Sequence, residues 1–414
     1  MEENAQQSSE FHWPSAIQFG GSLIAILLLW GMSAIFAIIG LVVIIEGGIA
    51  DEDVIPYFLL GTGLSFCGAL LIPSAWYSLM RLLGRSMPQI KLLSFQAPRL
   101  WIVFLLLLFP LVVILGDWIT NSTQITWIFL PPLHVLAIGI PILWLVYLGV
   151  RGLSVGSPQR DWGAFGAGMT ISPILIIILE IAAIMMVIFV GAIYLLFQPD
   201  LLNQLELLAN RLYYAPPNPQ IIQGIISPYL AQPLVVYTIF AFTAVIVPLI
   251  EEALKPIGAW LLFRSNLTPT AGFVAGVLGG AGYAIFENIM FSINISNWIF
   301  LVTARTGTSV MHILTGGITG WALVNAWRHR KYLQLGLIYL AAVGIHGLWN
   351  GFTLFGAAEQ IVPVEELSAP LFVGLIRIAP YGLGFLVVLC FGLLAYLNWS
   401  LRRTENQNQS STTQ

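Results

Sequence analysis

The sequence predicts an all-α fold, a polytopic membrane helix bundle of about ten transmembrane helices, on three observations. Of its 414 residues, 58% are hydrophobic and only 8% are charged, a balance foreign to water-soluble domains of that length. Apolar runs of about 20 residues, enough to cross the hydrocarbon core as a helix, recur along the whole chain. Lysine and arginine collect in alternate loops between those runs, as the positive-inside rule expects.

Taken in order, the expected spans are 16–45, 54–80, 99–116, 125–150, 165–197, 231–263, 271–298, 300–327, 333–357 and 369–399. The segment before them, 1–15, is a polar tail without the basic start of a cleaved signal, so the first span would begin insertion itself. Arg81, Arg85, Lys91 and Arg99 lie between spans two and three, and Arg151 and Arg160 between four and five. Arg264 follows span six, Arg328, Arg330 and Lys331 follow eight, and Arg402 and Arg403 follow ten. Of the alternate loops only 198–230 holds a basic residue, Arg211. Every basic loop therefore falls on one side, which predicts an even number of spans and both termini in the cytoplasm.

The longest connection, 198–230, divides the chain into a five-helix region at 16–197, with no motif to explain it, and a second membrane domain at 231–399. Its stretch QPDLLNQLELLANRLYYAPPNPQ has apolar residues at helical spacing before a proline-rich stop, the pattern of a short extracytoplasmic helix lying on the membrane. Residues 400–414 read as a polar cytoplasmic tail. Cys67 and Cys390 both fall within spans, which supports neither a disulfide framework nor a thiolate metal site. A net charge of -3 without a long basic tract argues against nucleic acid as a partner.

The chemistry concentrates in the second domain. A charge at the bilayer centre costs about 2.5–3.5 kcal/mol on insertion scales, yet four consecutive spans each carry ionisable groups at compatible depth. Glu251, Glu252 and Lys255 lie in span six, Glu287 in seven, Arg305 and His312 in eight, and His346 with Asn350 in nine. Helical spacing places His346 and Asn350 on one face, and Arg305, Ser309 and His312 on one stripe. Glu251 and Lys255, four apart, are expected to pair and to leave the other glutamate available. Pro248 and Pro256 remove N–H groups and free the carbonyls of Ala244 and Glu252, a break tolerated at membrane depth only against protein or water. Gly272, Gly276, Gly279, Gly280 and Gly282 allow neighbouring helices close to span seven.

These residues predict a wet pocket lined by Glu251, Glu252, Glu287, His312, His346 and Asn350. Carboxylates and imidazoles in a low-dielectric site share protons or bind a divalent metal, and either arrangement activates water. Amide hydrolysis is the natural use, with a carboxylate as general base and Asn350 or a histidine facing the developing oxyanion. Other intramembrane chemistries lack their residues. GTSV at 307–310 misses the second glycine of GxSG, the five aspartates fall in predicted loops, and HExxH does not occur.

EEALK at 251–255, GYAIFEN at 282–288, the Arg305 to His312 spacing and HGLWN at 346–350, in that order on successive spans, resemble the PrsW family of intramembrane proteases. That family is related to the CAAX-processing and bacteriocin-processing protease superfamily with its EExxxR, FxxxH and HxxxN pattern. The resemblance covers 235–355 and implies that 231–399 is a catalytic membrane domain. It carries over Glu251, Glu252, Glu287, His312 and His346 as catalytic, Asn350 as an oxyanion or ligand residue, and Lys255 and Arg305 as supporting partners. Where the family often has tyrosine, this chain has Phe291, so a phenol there is absent or supplied elsewhere. The family leaves open a divalent metal such as zinc, with Glu252, Glu287, His312 and His346 as candidate ligands, or a metal-free glutamate-activated water. The absence of two histidines and a glutamate grouped on one helix leans the reading to the latter.

The resemblance further implies a bacterial cytoplasmic membrane and a membrane-anchored protein substrate, such as an anti-sigma factor. Against the enzyme stand an ion-coupled permease, which predicts repeat symmetry that the two halves do not display, and an inactive scaffold, which predicts a missing catalytic residue. His134, Glu180 and Arg377 read as structural polar groups, with Glu180 and Arg377 as a pair.

Overall fold

A computed structural model describes residues 12–47, 54–86, 99–121, 125–230, 232–263, 265–291, 297–361 and 370–412. The N-terminal tail up to residue 11, the loops 48–53 and 362–369, Lys91 and Arg264 lie outside the described residues, as does the Phe291 side chain. Helices α1 (Trp13–Gly47), α2 (Val54–Leu82), α3 (Arg99–Thr120), α4 (Thr126–Val150) and α5 (Pro158–Leu196) form the first half. Two short helices follow, α6 (Pro199–Tyr213) and α7 (Pro219–Leu230). The sixth span is broken into α8 (Pro233–Ala241), a π turn at Phe242–Ile246, α9 (Val247–Leu254) and α10 (Ile257–Trp260). Helices α11 (Pro269–Phe291), α12 (Trp298–His329), α13 (Tyr332–Ile361) and α14 (Pro370–Thr412) complete the bundle.

Among the described residues, nine segments are long and apolar enough to cross a membrane. The tenth expected span is α12, which has the length with 32 residues but carries Arg305, His312 and Arg328. Its buried position explains much of the composition: from Gly307 to Ala326 nearly every α12 residue is buried, so His312 and the other polar groups of that stretch meet protein and not lipid. The protein is an integral membrane protein, as the apolar helices require.

Three boundaries differ from the sequence reading. Helix α5 starts at Pro158, ahead of 165, because Ser157 caps it by accepting from the Arg160 N–H and Pro158 fits its first turn. Asp117, Asp161 and Asp200, expected in loops, lie at helix ends, and Asp161 is buried and accepts from the Gly156 N–H at 3.2 Å. The tail from residue 400 is not a separate polar segment, since α14 runs on to Thr412. Asn398 donates to the carbonyls of Gly149 and Arg151 at 2.8 and 3.0 Å, and Glu405 holds the Ser154 backbone N–H at 3.1 Å. These bonds lash α14 to the C-terminal end of α4 and give its polar extension a reason to stay helical. The expected amphipathic segment appears as α6, which has no buried residue. Glu180 and Arg377 form no ion pair; Glu180 is half-buried and Arg377 exposed.

The two halves interlock along α11. A Cβ added to Gly276 would overlap the Gly316 carbonyl of α12, and one at Gly280 would overlap the His312 carbonyl. On the other side Gly168 of α5 sits against the Gly279 carbonyl, and Gly282 against the Phe165 carbonyl. Backbones this close leave no room for side chains between them, and such packing is what holds helices together where lipid offers no hydrophobic drive. Gly280→Ala is therefore expected to lower the unfolding midpoint in detergent by the equivalent of about 1–3 kcal/mol. Gly344→Ala, where an added Cβ meets nothing, should leave it unchanged or raise it by up to about 1 kcal/mol.

Candidate active site

The π turn sets the register of α9. Pro248 has no N–H for the carbonyls four or five residues earlier, and the Val247 N–H is taken by the Phe242 carbonyl. The Thr243 carbonyl is thereby left over, and Asn350 of α13 donates to it at 2.9 Å. Gly347, one turn before, lies against the Ala244 carbonyl. Asn350, expected at an oxyanion or metal, is thus a repair to the broken helix. At the other end of α9, Pro256 interrupts the ladder and Ser172 of α5 donates to the Leu254 carbonyl at 3.0 Å.

The break aims Glu251, Glu252 and Lys255 into the bundle. The Lys255 ammonium is fully buried and lies 2.6 Å from Glu252 Oε1, 3.2 Å from Glu251 Oε2 and 3.2 Å from His346 Nδ1. Spacing alone pairs the lysine with Glu251; the structure gives it both glutamates, with Glu252 nearer. Glu252 is also fully buried, and the same Oε1 lies 2.8 Å from His346 Nδ1. A carboxylate can only accept, so the proton in that contact belongs to Nδ1, and Nε2 keeps its lone pair. Nε2 faces the other way, 3.9 Å from Glu251 Oε2.

From the opposite wall α11 and α12 supply the rest. Glu287 Oε2 lies 2.5 Å from His312 Nε2, and Glu287 Oε1 lies 3.4 Å from Arg305 Nη1. The His312 and His346 rings meet edge to face at 5.3 Å between centroids. Five of the six pocket residues expected from sequence therefore converge, and Asn350 does not join them. Ligand atoms of Glu251, His312 and His346 lie within 4.8 Å of one another. This set differs from the four candidate ligands expected: Glu252, engaged by Lys255 and His346, and Glu287, held by His312 and Arg305, are not in it, and Glu251 is.

One site residue escaped the sequence reading. Tyr283, four residues before Glu287 and on the same face of α11, is buried beside His312 and Lys255. Its ring packs edge-on to His312 at 5.1 Å and lies under the Lys255 ammonium at 5.2 Å. The phenol missing at Phe291 thus has a counterpart one turn before Glu287 and not one turn after it. The spacing was visible in GYAIFEN, but a tyrosine in an apolar helix gives no signal of its own.

Three glutamates face one lysine and one arginine here, which leaves an excess negative charge in a buried place. Glu252 Oε2 and His312 Nδ1 also lack hydrogen-bond partners, and such groups are costly to leave alone. The donor set fits a divalent cation of the zinc type, which takes carboxylate oxygen and neutral imidazole.

Fold and site together define a polytopic membrane protein with a glutamate–histidine–lysine centre at the meeting of four spans. Residues 220–380 match the family model described as PrsW family intramembrane metalloprotease, and that stretch holds every residue of the centre. The match supports an intramembrane protease. No curated protein and no solved structure matches the chain.

Lys255→Met would leave two glutamates buried beside each other without their cation; a loss of about 3–5 kcal/mol is expected, read as a fall in the detergent unfolding midpoint. Asn350→Leu should cost about 1–3 kcal/mol by stranding the Thr243 carbonyl. That destabilisation is the mark of a structural role, since an oxyanion contact alone would lower kcat at unchanged stability.

Proposed function

We propose that this protein is an intramembrane endopeptidase that hydrolyses a peptide bond in or beside the membrane segment of a membrane-anchored protein. The observation that carries the reading is the convergence of Glu251, His312 and His346 within 4.8 Å, deep among helices and beside a further carboxylate, Glu287, held by His312 and Arg305. The family description as a metalloprotease favours a metal-holding site over the metal-free reading that sequence spacing suggested.

Glu251, His312 and His346 would hold the metal, and when bound it would polarise the scissile carbonyl and lower the pKa of water. Glu252 fixes the tautomer of His346 through Nδ1, the outer carboxylate that orients ligating imidazoles. Glu287 is the general base: its carboxylate takes the proton of the attacking water and returns it to the leaving amine nitrogen. Arg305 holds Glu287 in place and balances its charge. The Tyr283 ring backs His312 and Lys255, and Lys255 keeps the two adjacent glutamates together. The surrounding buried wall of α11 and α12 excludes bulk water, so these charges act undiluted.

The substrate fitting such a site is a single-span membrane protein, with an anti-sigma factor as the example that the resemblance offers. A bacterial cytoplasmic membrane with both termini inside completes the proposal.

The test expresses the full chain with a candidate single-span substrate and follows the substrate's length. Glu251→Gln, Glu287→Gln, His312→Gln and His346→Gln should each lower cleavage by at least about 100-fold. Wild-type cleavage in all four would remove the proposal. Purified wild-type protein should carry about one divalent metal ion per chain, and His346→Gln should carry less; chelation should stop cleavage and added zinc restore it.

A further inference from the structure

Outside the centre, α4 carries a buried imidazole with no hydrogen-bond partner among the described residues. His134 of α4 is 2% exposed, and neither ring nitrogen has a hydrogen-bond partner. Its ring rests against Trp298 at 5.8 Å, but the indole N–H of Trp298 is already given to the Val113 carbonyl at 3.0 Å. His134 lines a small cavity between α4, α11 and α12 together with Asn288, Arg305, Thr306 and Ser309.

Those side chains lead straight to the centre. Asn288 donates to Ser309 Oγ at 2.8 Å, Ser309 donates to the Arg305 carbonyl at 2.7 Å, and Arg305 reaches Glu287 at 3.4 Å. Asn288 is the next residue after Glu287. The cavity is thus the far side of the same Arg305 whose near side holds the carboxylate.

A buried imidazole with one donor and one acceptor needs partners. The cavity is of water size, and its largely apolar lining is interrupted by His134, Asn288, Arg305, Thr306 and Ser309, polar partners of the kind a buried water needs. An organic ligand does not fit, and an anion has no spare cation, because Arg305 already faces Glu287. We propose that this cavity is a built water site, and that His134, through the water it holds, is a positioning residue for Arg305 and so for Glu287. The five-helix first half then contributes to the reaction by fixing, from α4, the back of the catalytic wall. The catalytic part of this inference rests on the proposed function; the water site does not.

The test uses the full-length protein in lipid nanodiscs and the variants His134→Leu and His134→Gln. An experimental structure that resolves ordered water should show one within hydrogen-bond distance of a His134 ring nitrogen and of Arg305, Asn288 or Ser309. His134→Leu should lower kcat about tenfold or more at unchanged KM, and His134→Gln, which can still bind water, should recover most of it. A dry cavity overturns the water site, and wild-type kcat in His134→Leu overturns the positioning role. If the leucine variant does not fold, a glutamine variant with a wild-type water and wild-type kcat supports the proposal, and one that binds no water yet keeps its kcat refutes the positioning role. If the wild type cleaves no substrate, the protease reading falls, while the water observation alone still decides the site.

Discussion

The arrangement depends on one fully buried ammonium. Lys255 touches Glu252, Glu251 and His346 at once, and without it two adjacent carboxylates could not both stay ionised in a low-dielectric interior. Because its contacts come from both α9 and α13, the lysine also locks the broken sixth span to the helix that carries His346. A buried ion pair is weak evidence for stability in general. Here its consequence is positional, since it commits Glu252 to the Nδ1 side of His346 and leaves Nε2 facing Glu251 and His312.

Presenting that cluster requires a helix that is broken and yet satisfied. The π turn and the two prolines release backbone carbonyls at membrane depth, where an unpartnered carbonyl is expensive. Each repair comes from a different helix: Asn350 reaches the Thr243 carbonyl, and Ser172 reaches the Leu254 carbonyl. The glycines of α11 serve the same end from the other wall, drawing α12 close enough for His312 to face His346. Site and scaffold are therefore hard to separate, since the interruptions that aim the acids are held by the residues that pack around them.

The first five helices are part of this construction. Helix α5 meets α11 backbone to backbone at Gly168 and Gly282, and α4 closes the side of α12 that faces away from the centre. The stretch matched at 220–380 would lack both supports on its own. The first half acts as the wall against which the broken span and α11 are set.

The sequence alone determined the class of fold and named most of the ionisable residues that gather at the centre. Hydrophobic length is read directly by the bilayer, so all ten expected spans have a helix at their position, and a charge too costly for lipid announces itself wherever it stands. That made Glu251, Glu252, Glu287, His312 and His346 legible without coordinates. Which carboxylate binds which partner was decided only by tertiary structure, because pairing depends on how helices rotate against one another. Spacing gave Lys255 to Glu251 and Asn350 to the reaction, whereas packing gave the lysine chiefly to Glu252 and the amide to a stranded carbonyl. Tyr283 stayed silent because a phenol passes unremarked in an apolar helix, and His134 read only as a structural polar group; the meaning of each comes from the neighbour that the fold places against it.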